Sequence, residues 1–174
     1  MKHLLHTIIL GSALASFIPF LSCKPAVPPI SVSEDGTPLP RTGSTTPAGW
    51  TDDLDAALEA ARTNNKLVYV LFTGSDWCGW CKKLKSETLT QREFMELAAR
   101  HLVLVYLDMP NNGVSQQQIA KNEKTMMEIC NEGGVPTAVI LDANKRLLGK
   151  LSGYSPKSDY LSQIKDILAK NGHK

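Results

Sequence analysis

Two cysteines, Cys78 and Cys81, stand three residues apart in the segment Trp77-Cys78-Gly79-Trp80-Cys81-Lys82. They follow an apolar, β-branched and aromatic run over residues 67–73 that predicts a buried strand. The chain after them is charged and helical in pattern. A helix start offers unpaired N–H groups and a partial positive charge, which favour a thiolate over a thiol. The spacing also puts both sulfurs on one helical face, so the pattern favours thiol–disulfide exchange.

Other uses of a cysteine pair fit this sequence less well. A zinc site needs four ligands, and no second pair of cysteines or Cys/His pair stands at ligand spacing. Haem attachment needs a histidine after Cys81, where the chain has Lys82. A purely structural bridge would close too short a loop to stabilise much. We therefore expect Cys78, at the exposed helix end, to be the attacking thiolate and Cys81 to resolve the mixed disulfide, with no metal.

Length and charge limit the domain organisation and the functions that this chain could have. The chain has 174 residues and a formal net charge of +2, from 19 basic and 17 acidic side chains. This length suits one folded domain with a tail. No long basic run interleaved with aromatic residues is present, so the sequence gives little support to nucleic-acid binding.

Residues 1–22 have the outline of a bacterial export signal, with a short polar start and a long apolar stretch. Two cleavage sites compete. Ala13-Leu14-Ala15 has the small-x-small form, whereas Leu21-Ser22-Cys23 is similar to a lipoprotein signal in which Cys23 would carry lipid. A third interpretation makes Cys23 incidental. With either cleavage site, we expect a protein that works in the periplasm, soluble or tethered by lipid to a membrane.

Residues 23–48 are predicted to form a flexible linker, because prolines recur among Gly, Ser and Thr and prevent a packed element. The folded domain is expected over residues 49–174. Its predicted strands cover residues 67–73, 101–108, 137–142 and 146–151.

The predicted helices begin at Asp53, at Ser75 or Asp76, at Gln116 and at Ser155-Pro156. The second of these is expected to be a single long helix that carries the cysteines, and Gly133-Gly134 is expected to stop the third. The order α-β-α-β-α-β-β-α predicts an α/β domain with a central mixed sheet flanked by helices.

The cysteine motif and the later segment Val135-Pro136-Thr137 resemble the thioredoxin superfamily. The cysteine motif is similar to the family's Trp-Cys-Gly-Pro-Cys-Lys, with Trp80 in place of proline. The later segment is similar to its hydrophobic–cis-proline–threonine loop, which faces the cysteines. The likeness spans residues 50–170. Within the superfamily, the segment before Cys78 and the leader are most similar to exported bacterial thioredoxin-like disulfide reductases of the Dsb group.

The resemblance implies a thioredoxin fold and a protein-disulfide reductase or isomerase that works through a mixed disulfide without a cofactor. Its substrates would be disulfide-bearing envelope proteins, and a membrane protein would supply electrons. Reduction is favoured because Gly79 resembles the reducing members. The residues implied in substrate binding are Trp77, Gly79, Trp80, Val135, Pro136 and Thr137. Of the two tryptophans, Trp80 is expected on an apolar rim and Trp77 in packing.

Two departures from the family pattern concern proton transfer and redox potential. Phe72 and Leu104 stand where cytoplasmic thioredoxins have a buried aspartate and a lysine, so the second cysteine's proton acceptor would have to be Asp76 or water. Trp80 alters the residues between the cysteines, which tune the potential.

Other interpretations of the domain and of its remaining residues stay open. The domain could be a peptide-binding, chaperone-like module that uses the Pro136 loop, or a maturation factor dedicated to one envelope client. Cys130 is expected to be a partly buried thiol, with a third redox cysteine as the alternative. Met126 and Met127 are both expected in the core.

Overall fold

A computed structural model describes residues 45–131 and 133–173. Its helices are α1 Leu54–Asn64, α2 Gly79–Leu84, α3 Arg92–His101, α4 Gln116–Cys130 and α5 Lys157–Lys170, with a π-helical turn at Lys85–Leu89 between α2 and α3. Its strands are β1 Leu67–Thr73, β2 Leu102–Asp108, β3 Thr137–Leu141 and β4 Leu147–Ser152. The predicted α/β order is confirmed, with the cysteine-bearing helix divided into segments.

The sheet has the strand order β2-β1-β3-β4. Strand β1 runs parallel to β2 and antiparallel to β3, and β4 is antiparallel to β3. Thr73 pairs with Asp108, and Thr137 pairs with both Phe72 and Ser152. This register brings the loops after β1, β2 and β4 and the loop before β3 together at the same end of the strands. The cysteines lie at that end of the sheet.

Side chains of β1 alternate between two apolar cores, one on each face of the sheet. Tyr69 and Leu71 pack with α3 and α5, whereas Val68, Val70 and Phe72 pack with α1 and α4. Every residue of β1, β2 and β3 is buried, as expected for strands covered by helices on both faces.

Trp50 anchors the start of the domain in the first core. Its ring stacks on Phe94, with centroids 6.2 Å apart, and meets Tyr69 and Tyr106 edge-on. The backbone around it also joins β2, since Thr51 N–H donates to the carbonyl of Leu104 over 2.9 Å. The aromatic contacts therefore hold the beginning of the folded segment against the sheet.

The helix boundaries around the cysteines correct the prediction. The N-cap of α2 is Cys78, neither Ser75 nor Asp76, because the Ser75 side chain binds Asp108 at the end of β2 and the Asp76 side chain binds Asn111 after it. The predicted long helix is interrupted by the π-helical turn and resumes at Arg92. His101 ends α3 rather than beginning β2, which starts at Leu102.

Helix α4 differs from the prediction at its end and on its apolar face. It ends at Cys130 with Asn131 in the left-handed conformation, before the glycines expected to stop it. Met126 is buried as predicted, but Met127 is 49 % exposed, so its assignment to the core was wrong. Adjacent helical positions point about 100° apart, and only one of the two faces the sheet.

We expect Trp50→Ala to lower the free energy of unfolding by about 3–5 kcal/mol, because it removes a buried ring that contacts three others. Urea denaturation of the purified domain measures this. Met127→Ala is the matched control and should stay within about 0.5 kcal/mol of the wild type, since its side chain is half exposed. Equal denaturation midpoints for Trp50→Ala and the wild type would contradict the aromatic anchor.

Candidate active site

Cys78 and Cys81 form a disulfide at the start of α2, with their Cα atoms 5.2 Å apart. Cys78 is 6 % exposed and Cys81 is 4 % exposed. The expectation that Cys78 is clearly the more exposed cysteine is therefore wrong. Its Sγ lies 3.7 Å from the carbonyl oxygen of Val135, so the loop before β3 approaches the sulfur closely.

The backbone at the start of α2 is directed towards the first sulfur. The N–H of Cys81 donates to Cys78 Sγ over 3.1 Å. The N–H of Cys78 itself donates to the carbonyl of Gly74 over 2.9 Å, which closes the turn that enters the helix. A sulfur at an N-cap thus accepts a backbone hydrogen bond, an interaction that favours negative charge on sulfur when the disulfide is reduced.

Asp108, the last residue of β2, fixes the loop that precedes Cys78. Its carboxylate is buried and accepts hydrogen bonds from both the N–H and the hydroxyl of Ser75. The hydroxyl of Thr45 donates to the same carboxylate over 2.8 Å, and the buried side chain of Asn122 donates to the Asp108 carbonyl over 2.8 Å. A buried carboxylate with several donors is a strong constraint on position.

Asp76 and Trp77 add to this attachment. The carboxylate of Asp76 accepts from the backbone N–H groups of Asn111 and Asn112, and the Trp77 indole N–H donates to the carbonyl of Met109 over 2.8 Å. The loop before the cysteines is therefore joined to the segment after β2 at consecutive residues. Sequence reasoning missed Asp108, although an acid that ends an apolar strand is a readable signal.

Asp76, the residue considered as a proton acceptor, uses its carboxylate to bind the backbone of Asn111 and Asn112. Its side chain is fully exposed, and hydrogen bonds from Asn111 and Asn112 lower the pKa of its carboxyl group. Phe72 and Leu104, the residues at the family's acidic and basic positions, are both buried among apolar side chains. The side chains at both positions therefore supply no titratable group.

Trp77 and Trp80 lie on the surface beside the disulfide, with 51 % and 60 % of their area exposed. Trp77 covers Gly74 so closely that a Cβ atom there would lie 2.3 Å from its ring. Glycine at that position is thus a packing requirement. Trp77 combines the expected packing with an exposed ring surface, whereas the ring of Trp80 contacts Tyr154.

The segment Val135-Pro136-Thr137 lies next to the cysteines. The Val135–Pro136 peptide bond is cis, and Pro136 is buried. The Thr137 hydroxyl donates to the carbonyl of Gly134 over 2.7 Å, and Gly153 N–H donates to the Pro136 carbonyl over 2.8 Å. The first bond closes the loop on itself, and the second joins it to the residue after β4.

A groove of about 360 Å³ opens beside Trp77 and runs towards α4. Its walls combine apolar side chains, among them Met109 and Val135, with the polar side chains of Asn111 and Glu123. The groove therefore offers a mixed surface next to the disulfide.

Cys130, the last residue of α4, lies in the core between the sheet and that helix. It is buried, packs with the apolar residues of that core and forms no disulfide within the described part of the chain. The structure thus places it as the partly buried thiol that was expected.

The predictions for the N-terminal region fall largely on residues that the structure does not describe. The signal over residues 1–22, the lipidation of Cys23 and most of the linker lie outside the described residues. Within 45–131 and 133–173, no helix has the length and apolar character needed to cross a membrane.

Comparison with known proteins agrees with the fold. Residues 54–168 match the family described as the thioredoxin-like domain. A curated relative, the disulfide bond reductase DsbH of Chlamydia pneumoniae, is 34 % identical over 115 residues, which cover 64 % of this chain and 68 % of DsbH. The chain therefore belongs to the thioredoxin superfamily, as the motifs predicted.

Solved structures give the same result. A DsbH oxidoreductase superimposes with a TM-score of 0.61 at 29 % identity, covering 74 % of this chain and 93 % of that protein. A thioredoxin from Thermus thermophilus shares the fold, with a TM-score of 0.56 at 19 % identity over 71 % of this chain and 88 % of its own. With its cysteine pair, the chain falls among the thioredoxin-like disulfide oxidoreductases.

We expect Asp108→Ala to loosen the loop before Cys78, because the N–H and hydroxyl of Ser75 lose a buried acceptor. The free energy of unfolding should fall by about 1–3 kcal/mol, as measured in urea. Amide hydrogen exchange at Ser75 should accelerate more than exchange in β3. Asp166→Ala, which alters an exposed acid on α5, is the control and should change neither. Unchanged exchange at Ser75 in Asp108→Ala would contradict the conclusion that Asp108 fixes the loop before Cys78.

The lowered pKa of Asp76 predicts a dependence of stability on pH. A carboxyl group whose pKa is lower in the folded state stabilises the fold above its unfolded pKa of about 4, and this contribution is lost as pH falls through the folded pKa. Asp76→Asn should therefore flatten the slope of unfolding free energy against pH below about pH 4. Identical slopes for variant and wild type would show that the Asp76 carboxyl group does not have a lowered pKa in the folded protein.

Proposed function

We propose that the protein is an exported thiol–disulfide oxidoreductase that reduces or isomerises disulfides of envelope proteins. The observation that carries this proposal is the Cys78–Cys81 disulfide, with a backbone N–H donating to the first sulfur and the Val135 carbonyl beside it. The cysteine pair therefore lies next to the loop before β3, along which an incoming polypeptide can lie.

The reaction follows from the two sulfurs. In the reduced protein, the Cys78 thiolate attacks one sulfur of the substrate disulfide and forms a mixed disulfide, while the other substrate sulfur leaves as a thiolate and takes up a proton. Cys81 loses its proton to water and attacks Cys78 Sγ. The second substrate sulfur is then released, the substrate has gained two electrons, and the protein holds the Cys78–Cys81 disulfide again.

The start of α2 supports Cys78 as the attacking sulfur. The Cys81 N–H, 3.1 Å from Cys78 Sγ, stabilises a thiolate there in the same way that N-terminal helical N–H groups stabilise other anions. Because Cys78 is nearly buried, a substrate disulfide must lie directly against the surface around it. Thiolate chemistry is thus restricted to polypeptides that fit this surface.

The substrate-binding surface is proposed to consist of the residues around Cys78. Trp77 and Trp80, the residues next to Cys78 and Cys81 in the motif, present exposed rings. The carbonyl oxygen of Val135 lies beside the Cys78 sulfur. Pro136 and Thr137 are buried, so their part is to hold this loop in place. An extended polypeptide lying along the loop could pair with its backbone.

Reduction is the favoured direction. The 34 % identical relative is named a disulfide bond reductase, and Gly79 resembles the reducing members of the superfamily. Each turnover leaves the protein oxidised by two electrons, so a dithiol donor is required, which we assign to a membrane protein of the envelope. Export directed by residues 1–22, followed by lipidation of Cys23 as the first mature residue, would keep the domain near such a donor.

A second candidate function is that of a polypeptide-binding module. Two large indoles that are each more than half exposed favour it, since such rings bind unfolded chains without any redox step. In that case the cysteines would be dispensable for activity towards a client.

We expect Cys78→Ser to lower the rate of insulin disulfide reduction at least about a hundredfold, because it removes the nucleophile. Cys81→Ala should also lose turnover but accumulate a mixed disulfide through Cys78, visible by mass spectrometry. Cys130→Ala is the matched control and should keep the wild-type rate. No insulin reduction by the wild type, with client binding unchanged in Cys78→Ser, would support the binding module, and loss of activity in Cys130→Ala would make Cys130 a redox cysteine.

The clients captured by Cys81→Ala also distinguish a general reductase from a dedicated one. A broad set of envelope proteins indicates the former, whereas a single captured client indicates the maturation factor. Fractionation of cells that express the full chain, with and without Cys23→Ala, shows whether lipid holds the protein at a membrane.

A further inference from the structure

A stacked aromatic pair lies on the side of the disulfide away from the groove. The rings of Trp80 and Tyr154 are 5.4 Å apart between centroids and are inclined by 28°. The ammonium nitrogen of Lys83 lies 4.6 Å from the Tyr154 centroid and 5.5 Å from the Trp80 centroid. We call these three residues the Trp80 platform.

Two contacts fix the platform relative to the active site. The Tyr154 hydroxyl donates to the carboxylate of Glu87 in the π-helical turn. Tyr154 also follows Gly153, whose N–H donates to the Pro136 carbonyl over 2.8 Å. The platform is thus joined both to the helix that carries the cysteines and to the loop that faces them.

The exposure of Trp80 distinguishes it from the structural aromatics of this domain. Trp50, Tyr69 and Phe94 are almost completely buried and stabilise the core, whereas Trp80 keeps 60 % of its surface in water while stacking on Tyr154. A large ring held in one orientation but left exposed gains most from a further contact.

The charge around the platform is positive. Helix α2 carries Lys82 and Lys83 and no acidic residue, and Lys85 follows directly. The acid Glu87 also contacts the platform, through the Tyr154 hydroxyl, so within residues 79–87 three lysines stand against one acid. Charge complementarity therefore favours an acidic group on whatever covers Trp80.

We propose that the Trp80 platform binds the substrate polypeptide beside its disulfide, and that it prefers an aromatic or large apolar side chain next to the half-cystine with an acidic residue beyond it. This inference rests on the proposed disulfide exchange. Trp80 lies between the two cysteines in the chain, and Cys78 is nearly buried, so a polypeptide that delivers its disulfide to Cys78 lies against the platform. The ring stacks on the apolar side chain, and Lys83 attracts the acid.

The described start of the chain and the platform lie at different edges of the sheet. Thr45 binds Asp108 at the end of β2, whereas Tyr154 follows β4. These strands form the opposite edges of the sheet. The N-terminal segment thus joins the described domain on the far side from the platform.

The test uses the reduced full-length protein and short peptides that each contain one internal disulfide. Three peptides carry Phe then Glu, Ala then Glu, or Phe then Lys outside each half-cystine. Oxidation of the protein is followed in single turnover by tryptophan fluorescence, so no electron donor is needed. The Phe-Glu peptide should react about tenfold faster than Ala-Glu, the effect of one aromatic contact. It should react about threefold faster than Phe-Lys at low salt, and this second ratio should shrink in high salt.

Variants connect these preferences to the platform. Tyr154→Ala should reduce the tenfold preference for Phe to about twofold, whereas Tyr154→Phe, which keeps the ring, should retain it. Lys83→Gln should remove the preference for Glu over Lys. Leu147→Ala removes an exposed apolar side chain at the other end of β4 and should retain both preferences. Because each variant is judged by ratios between peptides, a general change in its reactivity does not affect the result.

Each outcome separates the two hypotheses. Equal rates for all three peptides with the wild type, or an unchanged Phe preference in Tyr154→Ala, would overturn the platform while leaving disulfide exchange intact. A reduced wild-type protein that reacts neither with the peptides nor with a small aromatic disulfide would overturn the proposed function itself. Dimerisation that is lost in Tyr154→Ala, measured by sedimentation, would identify a second copy as the occupant and would also overturn the platform.

Discussion

The buried carboxylate of Asp108 is the interaction on which the geometry of the active site depends. It stands at the end of β2, next to Thr73 at the end of β1, and binds the backbone and side chain of Ser75. Because a buried charge is tolerated only when donors surround it, the loop before Cys78 is confined to positions that supply them. The start of α2, and with it the sulfur, takes its place from this loop.

The surface around Cys78 has two unlike sides. On one side, Trp77 borders a groove whose walls include the polar side chains of Asn111 and Glu123. On the other, Trp80 stacks on Tyr154 next to a lysine. If the protein acts on polypeptide disulfides as proposed, an open groove and a flat aromatic surface would contact different features of one substrate and so fix the direction in which it lies.

Much of this arrangement could be predicted from local patterns. The continuous apolar, β-branched and aromatic character of residues 67–73 indicated a buried strand, and the order of elements indicated a mixed sheet flanked by helices. The boundaries of the cysteine helix were wrong because Ser75 and Asp76 are good N-cap residues by type. Their side chains instead bind Asp108 and Asn111, which are distant in sequence, and no local pattern reports such a competition.

By itself, the sequence determined the chemistry: two cysteines at helical spacing after a buried strand, and a proline segment before another, are local features that motif and periodicity report. Only the tertiary structure decided how exposed Cys78 is, and which side chains surround it. Asp108 and Tyr154 reach the site because strand register brings the ends of β1, β2, β3 and β4 to one edge of the sheet. Register depends on pairing between segments far apart in the chain, so these two residues could not be assigned before the fold was known.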